Sequence, residues 1–122
     1  MKQHHVALIA CERERTVAFY GVLGFHITVE HIRRDKNDVL ILMTDGDTVL
    51  EIFVKHDAPE RPSFPEARGL RHIAFRPDDL DATVAKLIEN GYAPEPIRRD
   101  TFTGERMTFV PDPDGLPVEL HE

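Results

Sequence analysis

Tryptophan is absent from this chain, and aromatic residues make up only 7% of it. Cysteine occurs once, at Cys11, so no internal disulfide can form, and a reducing compartment is the natural expectation. Long apolar runs are missing too. The longest, Val6 to Cys11, has six residues and cannot cross a bilayer as a helix. The segment Met1-Lys2-Gln3-His4-His5 leads into no apolar stretch of useful length, so no signal peptide is expected and the expected address is cytoplasmic. Positive charge is scarce as well: the formal net charge is −7. That balance argues against non-specific binding to nucleic acid or to an acidic membrane, which needs a basic face.

What is present suits one compact globular domain of 122 residues, with 41% hydrophobic and 30% charged residues. The chain also repeats itself. His5-Val6-Ala7-Leu8 reads like His72-Ile73-Ala74-Phe75. Asp45-Gly46 leads into Val49-Leu50-Glu51-Ile52, as Asp114-Gly115 leads into Val118-Glu119-Leu120. His5 and Glu51 are 46 residues apart, and His72 and Glu119 are 47 apart. A repeat of this kind means two copies of one supersecondary unit.

Each copy reads βαβββ. In the first, strands are expected over 4–10, 25–33, 39–43 and 48–54, with a helix over Arg13 to Leu23 that carries Val17, Tyr20 and Leu23 on one face and stops at Gly24. Asp45-Gly46 is a hairpin signal. In the second, strands are expected over 70–76, 92–98, 105–110 and 116–121. A helix runs from Pro77-Asp78-Asp79 to Asn90, with Leu80, Val84, Leu87 and Ile88 on one face. Pro94, Pro96 and Pro117 mark edge strands. Pro59, Pro62, Pro65 and Gly69 make the stretch between the copies irregular. The expected organisation is one domain over 1–122, built of modules 1–56 and 70–122 joined by a loop over 57–69.

Side chains alternate across a strand. His5 therefore shares a face with Ala7 and Ile9, and Glu51 with Val49 and Phe53; His72 shares one with Ala74, and Glu119 with Pro117 and His121. His4 falls on the opposite face from His5. A lone strand histidine is more often a hydrogen-bonded core residue, and a lone strand glutamate is usually solvated. The repeat shifts that balance, because the same residue types recur at the same places. Two imidazoles and two carboxylates form a donor set for Zn, Ni, Co or Mn. A divalent ion would also remove the repulsion between facing carboxylates. The matched pairs Arg33-Arg34 and Arg98-Arg99 read as solvated strand ends.

These residues carry a resemblance to the vicinal-oxygen-chelate superfamily, in particular its small bacterial glyoxalase-like proteins. It rests on His5 to Leu8, Ala18 to Phe25, Val49 to Ile52, Gly69 to Phe75 and Asp112 to Leu120, and it covers nearly the whole chain. The stretch Phe19 to Phe25, which opens with a Phe-Tyr pair, and the Asp-Pro-Asp-Gly turn at 112–115 are its most specific parts. The resemblance implies an α+β fold in which two βαβββ modules form an open, cupped, eight-stranded mixed sheet around one divalent metal ion. It maps the His-Glu-His-Glu set of glyoxalase I onto His5, Glu51, His72 and Glu119. It implies a lactoylglutathione lyase-like reaction on a 2-oxoaldehyde thiol adduct or related small oxo compound. The steps are proton abstraction and enediolate stabilisation, with Glu119 as general base and Glu51 able to share the role. A homodimer is expected. The resemblance departs at Ile9 and Lys55, where bacterial glyoxalase I proteins hold glutathione with Arg and Asn. Lys55, Arg71, Arg106 and the loop Glu60-Arg61-Pro62 are alternative anion contacts. A dioxygenase or thiol transferase on the same scaffold, and a non-enzymatic binding or resistance protein, are the competing readings.

Overall fold

The computed structural model describes all 122 residues and divides into two compact units, Met1–Glu60 and Arg61–Glu122. Each is a βαβββ module with its own four-stranded mixed sheet, so the eight strands fall into two sheets of four.

In the first unit, β1 (Val6–Ala10) is followed by α1 (Arg13–Val22), β2 (His26–Arg33), β3 (Asp38–Thr44) and β4 (Val49–Val54). The sheet order is β1-β4-β3-β2, with β1 parallel to β4 and the other pairs antiparallel. Alternation divides the sheet into two faces. Leu8, Ala10, Ile41, Met43, Leu50, Ile52 and Val54 are buried on one. The other, carrying Ala7, Ile9, Leu40, Leu42, Glu51 and Phe53, stays partly or fully exposed. The helix buries Thr16, Phe19 and Tyr20, and the Tyr20 ring meets both Phe19 and Phe25 edge-on. Of the expected Val17-Tyr20-Leu23 line Tyr20 is buried, whereas Val17 and Leu23 are half-buried and Thr16 and Phe19 complete the inward stripe. A threonine holds one of its positions, which hides the stripe from a purely apolar pattern.

The second unit runs β5 (Ile73–Phe75), α2 (Leu80–Glu89), β6 (Arg98–Arg99), β7 (Arg106–Pro111) and β8 (Pro117–His121). Its order, β5-β8-β7-β6, and its single parallel pair, β5 with β8, reproduce the first unit. The buried apolar set is Ile73, Leu80, Leu87, Met107, Val110, Leu116, Val118 and Leu120. Both helices close the same way. Gly24 and Gly91 adopt φ of +97° and +83°, and the N–H of the next residue reaches back five positions, Phe25 to the Tyr20 carbonyl and Tyr92 to that of Leu87, each at 3.0 Å.

Two expected strands are cut short. β5 covers three residues rather than 70–76, and β6 covers two rather than 92–98. Pro94 and Pro96 have no N–H to donate, so no ladder can run through them. Glu95 between them is still tied to β7. Its N–H donates to the Phe109 carbonyl at 2.8 Å, and its carbonyl accepts from the Thr108 hydroxyl at 2.7 Å. Ile88 is 59% exposed, off the face that Leu80 and Leu87 bury.

Candidate functional site

The repeat reappears as geometry. In the first unit Ala7 pairs with Glu51; in the second Ala74 pairs with Glu119. Each histidine stands two residues before its alanine, so each is carried beside the glutamate of the neighbouring parallel strand. His5 Nε2 lies 3.3 Å from Glu51 Oε2, and His72 Nε2 lies 3.0 Å from Glu119 Oε2. Both pairs sit on the face opposite the buried core of their own sheet. His5 and Glu51 are half-exposed, whereas Glu119 is buried.

His4 does not turn away from His5. β1 begins only at Val6, so strand alternation does not reach back to residue 4, and the two imidazoles stack edge to face with their Nδ1 atoms 2.8 Å apart.

The donor chemistry of each pair suits a divalent ion. Two ligand atoms held about 2.1 Å from one metal are about 3.0 Å apart at a right angle and about 3.4 Å apart at the tetrahedral angle. The two pairs fall on that range. The Nδ1 of His72 is buried with no hydrogen-bond partner, while its Nε2 faces Glu119 and its ring meets Phe109 edge-on at 5.3 Å. No group of three or more His, Cys, Asp or Glu side chains is arranged to hold an ion. Each unit instead supplies one imidazole and one carboxylate.

His121, which has no counterpart in the repeat, is drawn into the surroundings of Glu119. Its Nε2 lies 3.9 Å from Glu119 Oε1, and its Nδ1 lies 3.3 Å from Glu105 Oε2. Glu119 thus has one imidazole at 3.0 Å and a second within 4 Å. The signal available in the sequence was the shared strand face of residues 119 and 121; the equivalent place in the first unit holds Phe53.

The remaining charges of the open faces are mostly matched within the protein. Asp38 accepts two hydrogen bonds from the Arg33 guanidinium, at 2.7 Å each, and Lys55 Nζ lies 2.9 Å away. Hydrogen bonding to Arg33, then to Lys55, pulls its carboxyl down to about 2. The Arg33 guanidinium also lies 4.7 Å over the Phe53 ring. Arg106 pairs with Glu122 and Asp81, which raises its pKa, and Arg71 pairs with Glu66 at 2.6 Å. Lys55, Arg71 and Arg106, expected as anion contacts, therefore already carry carboxylate partners. A cavity of about 520 Å³ in the second unit is lined by His72 together with Arg61, Phe64, Leu70, Arg98 and Phe109, among others.

The model of the glyoxalase/bleomycin resistance protein/dioxygenase superfamily matches residues 2–120, and the chain belongs to that family. Two relatives are similar over nearly their whole length. The uncharacterised protein YaeR of Escherichia coli (strain K12) is 48% identical over 124 residues, spanning 98% of this chain and 94% of its own. The uncharacterised protein YwkD of Bacillus subtilis (strain 168) is 46% identical over 121 residues, with the same coverages. The crystal structure of a glyoxalase family protein from Enterococcus faecalis superposes with a TM-score of 0.93 at 48% identity, covering 99% of this chain and 97% of that one. The fold extends to proteins of different activity, among them a trypanothione-dependent glyoxalase I from Leishmania major (25% identity, TM-score 0.73) and a bleomycin-binding protein (21%, TM-score 0.72).

Proposed function

We propose that this protein is a metal-dependent lyase or isomerase of glyoxalase I type, acting on a thiol adduct of a 2-oxoaldehyde or a related small oxo compound. The observation that carries the reading is the twofold recurrence of one His–Glu pair at the same register in both units. His5, Glu51, His72 and Glu119 are the proposed ligands of one divalent ion, Zn, Ni, Co or Mn. Similarity to proteins that include a glyoxalase I supports the same reading.

When bound, the ion would act as a Lewis acid toward a substrate carbonyl. Glu119 is the proposed base. It takes the proton from the carbon bearing sulfur and hydroxyl and returns it to the neighbouring carbonyl carbon, while the hydroxyl proton passes to the former carbonyl oxygen, so a hemithioacetal becomes a 2-hydroxy thioester with no net gain or loss of atoms. His72, 3.0 Å from one of its oxygens, orients the Glu119 carboxylate, and His121 adds an imidazole 3.9 Å from the other. Glu51, its counterpart in the first unit, is able to share the role. We further propose a cytoplasmic homodimer.

The test is elemental analysis of untagged protein, followed by methylglyoxal turnover with glutathione, with other thiols and without thiol, for wild type and Glu119→Gln. Stoichiometric metal with thiol-dependent turnover, abolished in Glu119→Gln, is the expected result. Bound metal without turnover would discard this substrate. Absence of metal after reconstitution would overturn the enzymatic reading in favour of a small-molecule binding module. Sedimentation of the same samples reads the oligomeric state.

A further inference from the structure

The cavity of the second unit carries an unmatched charge. Three guanidinium groups and two carboxylates line it. Arg71 is paired with Glu66, and Arg98 with Glu95. Arg61 has no carboxylate partner. It donates only to two backbone carbonyls, of Leu70 at 3.2 Å and of Gly115 at 3.5 Å. Those bonds anchor the group at the cavity wall without neutralising it, and its other N–H donors are left for something else. In a chain whose net charge is −7, a half-buried guanidinium with no acid beside it is unusual.

The rest of the wall is apolar and incompletely covered. Phe64 is 91% exposed and Leu70 54% exposed, and the Phe109 ring stands between His72 and Arg98. At about 520 Å³ the space falls in the range of roughly 300–1,000 Å³ that takes a drug-sized ligand. A bare three-carbon oxoaldehyde would leave most of it empty.

We infer that this cavity binds a small organic monocarboxylate with an apolar body, its carboxylate on Arg61 and its body against Phe64, Leu70 and Phe109. One net positive charge matches a monoanion better than a phosphate dianion. The inference stands on the cavity alone, and combined with the proposed function, on which this further step rests, it makes the substrate a carboxylate-bearing oxo compound whose reacting end lies toward His72.

The experiment uses the full chain freed of metal, with 3-phenylpropanoate and its neutral amide as probes and affinities read by NMR titration. Charge-assisted hydrogen bonds predict that the acid binds about tenfold or more tighter than the amide. Arg61→Gln should remove the preference, so that acid and amide bind alike, and the dispersion of the same NMR spectra reports an intact fold. Arg61→Lys, which keeps the charge and loses the fork, should retain part of the preference. Equal binding of acid and amide to wild type, binding of neither, or a preference that survives in Arg61→Gln would overturn the inference. Should Arg61→Gln fail to fold, the wild-type comparison and Arg61→Lys still decide. Metal content measured on the same preparations before the metal is removed and again after reconstitution separates the two readings. A chain that loads metal but does not prefer the acid loses this inference and keeps the proposed function. A chain that prefers the acid but takes no metal does the reverse.

Discussion

Leu87 and Ile88 are adjacent in α2, and an apolar pattern alone puts both on its inward face. The structure separates them: Leu87 is 0% exposed and Ile88 59% exposed. Leu87→Ala removes three carbons from a fully buried place. At about 0.8 kcal/mol per methylene, transfer alone costs about 2.4 kcal/mol. The cavity left behind adds to this, for a total of about 3–4 kcal/mol. Ile88→Ala removes mostly solvated carbon and replaces a β-branched residue with the best helix former. Its expected effect lies within about 0.5 kcal/mol of zero. Urea unfolding followed by far-UV circular dichroism reads both. With a slope of roughly 1.5 kcal/mol per molar urea, Leu87→Ala should lower the midpoint by about 2 M while the Ile88→Ala midpoint barely moves. A loss below about 1 kcal/mol at Leu87 would show that α2 does not pack as described. An equal loss at Ile88 would also refute the assignment, because it would mean that the outer face of α2 is covered in solution.

Further outcomes follow from individual contacts. Asp38 has a carboxyl pulled from 3.8 to about 2, so the stability it contributes is full above pH 3.8 and is lost as pH falls through about 2; acid titration of Asp38→Asn by thermal melting should lack that proton-linked loss, and coinciding acid limbs would refute it. The two helices differ at their starts, since Asp79 accepts from the Ala82 N–H at 2.9 Å while Glu12 makes no side-chain cap. Asp79→Ala should cost about 1 kcal/mol and Glu12→Asp should add a few tenths or more, both read by denaturant melts. Thr108→Val keeps the shape of a fully buried side chain but leaves the Glu95 carbonyl without its hydroxyl donor; a loss of about 1–2 kcal/mol with an unchanged denaturant slope is expected, and no loss would mean that water takes over the bond.

Much of this molecule is legible along the chain because its signals are local. The repeat of His-Val-Ala and His-Ile-Ala, the glycines that close both helices and the Asp-Gly turns depend on a few consecutive residues, and they define two βαβββ units. Alternation then places each glutamate on the open face of its sheet, and the family is readable from the same residues. Other features needed partners distant in sequence. Only the pairing of Ala7 with Glu51 and of Ala74 with Glu119 brings each histidine beside its carboxylate. The short β6 was decided by the missing N–H groups of Pro94 and Pro96 against a strand they face, and the inward line of α1 by Thr16, whose burial no apolar pattern reveals. His121 entered the surroundings of Glu119, and Arg61 was left without an acid, because charge matching is settled in space. Order along the chain determines which residues can form an element; which charges are answered and which stay open depends on contacts that close only when strands far apart in sequence come into register.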